Sequence, residues 1–275
     1  MKNQRRTNCP ISVAALGVMA MLFVCSTTMA WAQNAKVLIF AKTSKYHHNS
    51  IAAGITAIQK LGAENKFDVD TTTDVSKFTD ANLKQYATII FLSPTSASNL
   101  TNDAKNIVFK DSLNKDALKT YIHNGGGFLG IHAATDFGYE WAWYGKLVGA
   151  YFLGHPARNV QKARLNIIDK KTPSTKNLPD TISRSDEYYS FKKGMATDLH
   201  VVMTLDENTE NYGQQVNLKM GDFHPISWYH DFEGGRAFYT ALGHTDQSFS
   251  EPFVLDHILG ALQYTMGKKY KGKKQ

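Results

Sequence analysis

Short apolar runs alternate with segments of helical periodicity along the first half of the chain. Lys36-Val-Leu-Ile-Phe-Ala41 and Ala87-Thr-Ile-Ile-Phe-Leu92 are compact hydrophobic stretches, the pattern of strands buried on both faces. Ser93-Pro94 closes the second, and Phe67 to Thr71 alternates as a strand does. Between them, Ile51, Ile55, Ile58 and Leu61 recur at intervals of 4, 3 and 3 residues, which predicts a helix capped by Asn49 or Ser50. Asp116 to His123 predicts a helix ending at Asn124-Gly125, Phe128-Leu-Gly-Ile-His132 a strand, and Trp141 to Phe152 a further helix. Strands that alternate with helices imply a parallel sheet with right-handed crossovers.

The second half reads differently. Ala163 to Ile168 and His200 to Leu205 predict strands with no long helix between them. Pro225 to Tyr229 and Arg236 to Leu242 flank Glu233-Gly234-Gly235, a hairpin turn signal. A last helix spans Pro252 to Met266, with Pro252 suited to its first turn. The expected fold is one three-layer α/β domain, a mostly parallel sheet with an antiparallel extension, over residues 33–267.

The N-terminus changes the composition. Lys2, Arg5 and Arg6 precede an uncharged apolar run, Ile11 to Cys25, and then Ala30-Trp31-Ala32. This is the layout of a secretory signal peptide over residues 1–32, cut after Ala32. The apolar run is too short to span a bilayer comfortably, so no stable membrane insertion is expected after cleavage. The expected location is periplasmic or secreted. Cleavage removes both cysteines, Cys9 and Cys25, and with them any disulfide, thiolate ligand or cysteine nucleophile. It also removes three of the positive charges behind the formal +7. Five more lysines sit in the tail, residues 268–275, so the body is close to neutral. It lacks the clustered basic residues that nucleic-acid binding requires.

In open α/β sheets ligands bind at the carboxyl ends of the strands. Three such ends carry histidine: Tyr46-His47-His48-Asn49 after the first strand, His132-Ala-Ala-Thr135-Asp136 after the glycine-rich strand, and Gly243-His244-Thr245-Asp246 after the hairpin. Phe128-Leu-Gly-Ile-His132-Ala-Ala has the layout of a nucleophile elbow with imidazole at the apex. Histidine there suits a general base or a metal ligand, and the residues do not separate the two. Gly125-Gly126-Gly127 precedes a strand, so it lacks the strand–loop–helix order of a phosphate loop. No dinucleotide fingerprint follows the first strand, where Ala41-Lys42-Thr43-Ser44 stands, and no nucleotide is expected. Tyr144, His155, Trp228 and the Asp186-Glu187-Tyr188-Tyr189 segment mix aromatic and polar groups as sugar sites do. Neighbours in an extended chain point to opposite sides, so one of Asp186 and Glu187 faces the pocket, Glu187 by preference.

Together, Tyr46 to Ile51, Gly125 to Asp136, Tyr144 to Pro156, Asp186 to Tyr189 and Gly235 to Asp246 resemble the ThuA-like (trehalose utilisation) family, in the family's order and from about Lys36 to Met266. The resemblance implies a flavodoxin-like sandwich of the class I glutamine amidotransferase-like kind. It also implies a role in carbohydrate metabolism, with 3-keto sugars made by a separate oxidoreductase. It departs from true amidotransferases at the elbow, where His132 replaces the thiol of a Cys-His-Glu triad, so cysteine-dependent glutaminase activity is not expected.

The expectation is an enzyme acting on a sugar or keto-sugar glycoside, as lyase, hydrolase or isomerase. His132, His244, Glu187 and Asp186 are the catalytic candidates. Tyr46, His47, His48, Thr135, Asp136, Tyr144, His155, Tyr188 and Trp228 are the binding candidates. A divalent metal, zinc or manganese, could be held by some of His47, His48, His132 and His244. The alternatives are a non-catalytic carbohydrate-binding protein of the same fold, and a scaffold module.

Overall fold

A computed structural model describes Met1, residues 34–96 and residues 106–269. The expected signal peptide, apart from Met1, and the tail from residue 270 onward lie outside the described residues.

The elements run in the order β1 (Ala35–Phe40), α1 (Ser50–Asn65), β2 (Phe67–Thr72), α2 (Asp80–Leu83), β3 (Thr88–Leu92), α3 (Ser112–His123), β4 (Gly127–Ile131), α4 (Ala142–Val148), β5 (Phe152–Gly154), β6 (Val160–Ile167), β7 (Thr181–Glu187), β8 (Ser190–Phe191), β9 (His200–Asp206), β10 (His224–Phe232), β11 (Gly235–Thr240) and α5 (Pro252–Met266). Among the described residues, nine strands form one sheet in the order β2-β1-β3-β4-β11-β10-β9-β6-β7. β2, β1, β3, β4 and β11 are mutually parallel. From β11 to β7 every pairing is antiparallel. This is the expected parallel sheet with an antiparallel extension. β5 and β8 pair separately.

The parallel strands are apolar because they are covered on both sides: every residue of β3 and β4 is buried. Phe40 meets Phe78, Phe91, Phe109 and Phe137 edge-on or tilted, at centroid distances of 5.0 to 6.3 Å. Burying each such ring stabilises the fold by about 1.5–3 kcal/mol. The glycine run before β4 is a packing device. Gly125 takes φ +83° after α3, and a Cβ on Gly127 would collide with the Thr265 carbonyl of α5. Glu233 and Gly234, at φ +47° and +93°, make the tight turn that pairs Phe232 with Gly235.

The helix expected over Trp141 to Phe152 is shorter. Gly149, at φ +95°, ends α4, and Phe152 enters β5 instead. β7 is a strand that no apolar alternation signals. Its Ile182 lies opposite Leu165 of β6, and its Arg184, Asp186 and Glu187 are buried polar residues, so a polar sequence here is extended and internal.

Candidate metal and sugar-binding site

β3 and β4 are each followed by a left-handed residue, Ser93 at φ +45° and His132 at φ +50°. Such a conformation costs a non-glycine residue about 1–2 kcal/mol. The surroundings impose it on His132. The Tyr239 hydroxyl donates to its carbonyl (2.8 Å), and its Nδ1 bonds the Ala241 carbonyl (2.8 Å). Thr135 Oγ1 lies 3.1 Å from the same Tyr239 hydroxyl. The elbow is therefore tied at three points to β11 and the residue that follows it.

β7 runs in the same direction as β4, since the antiparallel pairings between them alternate. Four strands separate the two in the sheet, a span of roughly 24 Å in a flat sheet. Yet Glu187 at the end of β7 lies 3.2 Å from His132. The antiparallel half must curl back over the strand ends. Register breaks on β10 at Pro225/Ser227 and Ser227/Trp228 are bulges of the kind that bend a strand.

The curl assembles a buried cluster of His48, His132, Glu187 and His244, one ligand atom of each lying within 4.8 Å of the others. Glu187 Oε2 is 3.2 Å from His132 Nε2 and 3.0 Å from His244 Nδ1. His132 Nε2 and His244 Nδ1 are 3.2 Å apart. Because His132 Nδ1 donates to a carbonyl, its Nε2 in the neutral ring is a lone pair. That lone pair, a second imidazole nitrogen and a carboxylate oxygen crowd together. Only positive charge between them, as protons or a metal, makes the arrangement favourable.

The electrostatics carry the same demand. Burial would raise the Glu187 pKa, but hydrogen bonds and charge from His132 and His244 outweigh it and hold the carboxyl well below the usual range. Burial lowers His244, but Glu187 and Asp186 outweigh that and raise it. Burial, then His132 and His244, press His48 down to about 2, so its ring is neutral. His48 Nδ1 is buried with no hydrogen-bond partner among the described residues. A neutral imidazole with an unused nitrogen, beside two more imidazoles and a carboxylate, fits the nitrogen and oxygen donor set of a zinc-like ion.

Asp186 is turned away from the pocket. Its Oδ1 accepts the backbone N–H of Glu187 (3.0 Å) and of His244 (3.1 Å). Its Oδ2 accepts from Gly243 N–H (3.0 Å), Ser248 Oγ (3.1 Å) and the Arg184 guanidinium (2.5 Å). Arg184 in turn reaches Glu251 at 2.9 Å. Asp186 therefore fixes the two backbones that present Glu187 and His244.

Three members of the cluster, His48, Glu187 and His244, line a pocket together with Tyr46, Asp136, Phe152, His155, Asn159 and Tyr189, while His132 is fully buried beside them. His155 Nε2 lies 3.4 Å from Glu187 Oε1, and its Nδ1 bonds the Pro156 carbonyl (2.9 Å). Asp136 Oδ1 accepts from the Tyr139 hydroxyl at 2.6 Å. Tyr189 packs its ring on His132 at 4.4 Å and on Phe152 at 4.2 Å.

Of the candidates read from sequence, His48, His132, Glu187 and His244 converge, and Tyr46, Asp136 and His155 line the pocket. His47 lies outside the cluster, its Nδ1 on Thr43 Oγ1 at 3.1 Å, and Glu187 occupies the fourth place. Tyr144, Tyr188 and Trp228 are core residues rather than pocket residues. Their polar tips bond the carbonyls of Ala134, Arg184 and Val148. Thr135 is buried behind the elbow. Phe152 and Asn159 join the pocket although the sequence does not single them out as site residues, and Tyr189, part of the aromatic segment read as sugar-binding, joins it too. Tyr189 carries a usable signal in the Asp186-to-Tyr189 segment; a lone Asn159 carries none.

A three-layer α/β sandwich with histidine at a strand-end elbow is a glutamine amidotransferase-like fold without the amidotransferase thiol. Within that class, the chain belongs to the ThuA family, described as trehalose utilisation, whose sequence profile matches residues 36–265. That membership ties it to carbohydrate use. A ThuA-like protein from Bacteroides uniformis has a similar structure, with 24% identity and a TM-score of 0.66 over 88% of this chain and 96% of that one. A ThuA-like protein from Parabacteroides merdae has 17% identity and a TM-score of 0.61 over 88% and 92%. A cytoplasmic protein from Salmonella typhimurium has 12% identity and a TM-score of 0.57 over 84% and 99%. At these identities the likeness shows the fold. A search of curated proteins finds no match.

Proposed function

We propose that the protein is an exported, metal-dependent enzyme acting on a sugar or 3-keto sugar glycoside. The observation that carries this reading is the convergence of His48, His132, Glu187 and His244, three of which, His48, Glu187 and His244, line a pocket. These four residues would hold a divalent ion, zinc or manganese. When bound, such an ion supplies a Lewis acid for a sugar keto or hydroxyl oxygen.

The chain's own groups divide the remaining work. His155 commits its Nδ1 proton to the Pro156 carbonyl, which leaves Nε2 as a base facing the pocket. A 3-keto group acidifies the neighbouring C2 hydrogen, and His155 removes it. Glu187 Oε1, 3.4 Å away, stabilises the imidazolium that results. Exposed Tyr46 and half-buried Phe152 line the pocket as apolar surface for the sugar, with Tyr189 packed behind Phe152. Elimination of the C1 oxygen gives lyase chemistry, subsequent water addition gives net hydrolysis, and reprotonation gives isomerisation. A separate oxidoreductase would supply the keto group.

The test has two arms. Metal analysis of the purified, untagged protein should find about one zinc or manganese per chain, lost in His132→Ala. Incubation with methyl 3-keto-glucopyranoside in D₂O should exchange the C2 hydrogen. Metal without exchange or turnover would favour the second reading, a non-catalytic carbohydrate-binding protein, which the aromatic lining also supports. Absence of both would refute the enzyme reading.

A further inference from the structure

Resting on that reading, we infer that Asp136 is a further catalytic residue: the proton donor to the oxygen that leaves C1. The elimination needs an acid as well as a base, and the pocket's other carboxyl group and its imidazoles are committed. Glu187 is engaged within the cluster, its Oε2 3.2 Å from His132 and 3.0 Å from His244 and its Oε1 3.4 Å from His155. His155 is the base. Among the described residues lining the pocket, Asp136 is the acidic group that remains.

Its geometry suits the task. The backbone is pinned on both sides, by its N–H on the Ala133 carbonyl (2.9 Å) and by the Ser96 N–H on its own carbonyl (3.2 Å). Tyr139 donates to Oδ1 at 2.6 Å, so a proton on Asp136 belongs on Oδ2. Oδ2 makes no hydrogen bond among the described residues, and Asp136 lines the pocket. After the proton leaves, the Tyr139 hydroxyl stabilises the new carboxylate. Burial keeps Tyr139 itself strongly disposed to remain an O–H donor, and the Lys192 ammonium lies 4.3 Å from its ring centroid.

The charge environment agrees. Burial lifts the Asp136 pKa to about 6. Tyr139, His132 and Lys192 pull it down and Glu187 pushes it up. The group can therefore both hold and release a proton near neutrality.

The step balances. His155 takes the C2 proton, the freed pair forms the C1–C2 double bond, and the C1–O bond breaks with its pair on oxygen. Asp136 protonates that oxygen, giving an enone and an alcohol. No oxidant or reductant is consumed. His155 and Asp136 return to their starting states by exchanging protons with solvent.

The experiment compares wild type and Asp136→Asn on two probes. Methyl 3-keto-glucopyranoside has a leaving group that needs a proton. 4-Nitrophenyl 3-keto-glucopyranoside has one that leaves as a stable anion. In Asp136→Asn, methanol release should fall by about 10²–10⁴-fold, the usual worth of general acid catalysis. Nitrophenolate release should fall by less than about tenfold on the same reasoning. Metal content and C2 exchange in D₂O report that the variant is folded and the base intact. Methanol release close to wild type overturns the inference, as does an equal loss on both probes. A wild type that neither exchanges C2 hydrogen nor releases either group overturns the enzyme reading itself, and the inference with it.

Discussion

Asp186→Asn isolates the device that assembles the cluster. The substitution is nearly isosteric, so packing is kept while the charge is lost. Five donors converge on the carboxylate: the N–H groups of Glu187, Gly243 and His244, Ser248 Oγ and the Arg184 guanidinium. An amide must turn its NH₂ toward either the Oδ1 pair or the Oδ2 trio. Facing the pair sacrifices fewer bonds, and these belong to Glu187 and His244. Hydrogen bonds to a charged group are worth about 1.5–3 kcal/mol each. Arg184 also loses its buried partner but keeps Glu251 at 2.9 Å, which limits that cost. The expected destabilisation is about 3–5 kcal/mol, in the range for breaking a buried ion pair. Urea unfolding of metal-free protein measures it as a shift in midpoint at constant slope. Metal affinity should fall in addition by about 10–100-fold, the usual effect of removing a group that orients ligands. As a control, Glu251→Gln removes the partly exposed partner of Arg184 and should cost about 1 kcal/mol. A loss below about 1 kcal/mol in Asp186→Asn, with metal affinity intact, would refute the argument that this carboxylate holds the site together.

Four further outcomes are expected. Removing metal by chelation should lower the melting temperature by about 5–10 °C when the ion had been present at a hundredfold excess over Kd; calorimetry reads it, and an unchanged transition would count against metal binding. Asp136→Asn should stabilise metal-free protein by about 3 kcal/mol above pH 7 and leave it unchanged near pH 4, as urea midpoints across that range would show. The sign follows from a folded-state pKa raised to about 6: wild type loses stability as pH rises from the unfolded value through the folded one, whereas asparagine does not titrate. His132→Gly should be more stable than His132→Ala by about 1 kcal/mol, because φ +50° strains alanine and not glycine; equal urea midpoints would place the strain elsewhere. Gly149→Ala should cost about 3 kcal/mol, since a Cβ there collides with Trp228 Nε1 at φ +95°, and thermal unfolding measures it.

The parallel half of the fold is legible because its strands are buried on both faces and read as apolar runs. Strand direction then gives the edge where ligands bind, and histidines at three strand ends mark it. That logic leads to His132, His244 and the His47-His48 pair without any knowledge of distance, and the structure chooses His48 from the pair. It is weaker where polar residues are structural. β7 reads as Thr-Ile-Ser-Arg-Ser-Asp-Glu, with no apolar alternation, because Arg184 and Asp186 are buried by pairing with each other and with Glu251. An aromatic residue also does not reveal whether it stacks on a sugar or fills the core. Trp228 and Tyr189 look equivalent along the chain; one bonds the Val148 carbonyl inside the core and the other lies against His132.

The least legible feature is the one on which the site depends. Glu187 reaches His132 only because the antiparallel strands curl over the parallel edge, and that curl comes from bulges on β10 and a buried arginine network rather than from a local motif. Asp186 and Glu187 show how closely structure and chemistry are joined there. Alternation along β7 sends the two carboxylates to opposite sides, one to the pocket and one to the loop behind it. The outward one completes the cluster. The inward one accepts the N–H groups of its own neighbour and of His244, so the same two-residue step that supplies a ligand also locks a second ligand in register with it.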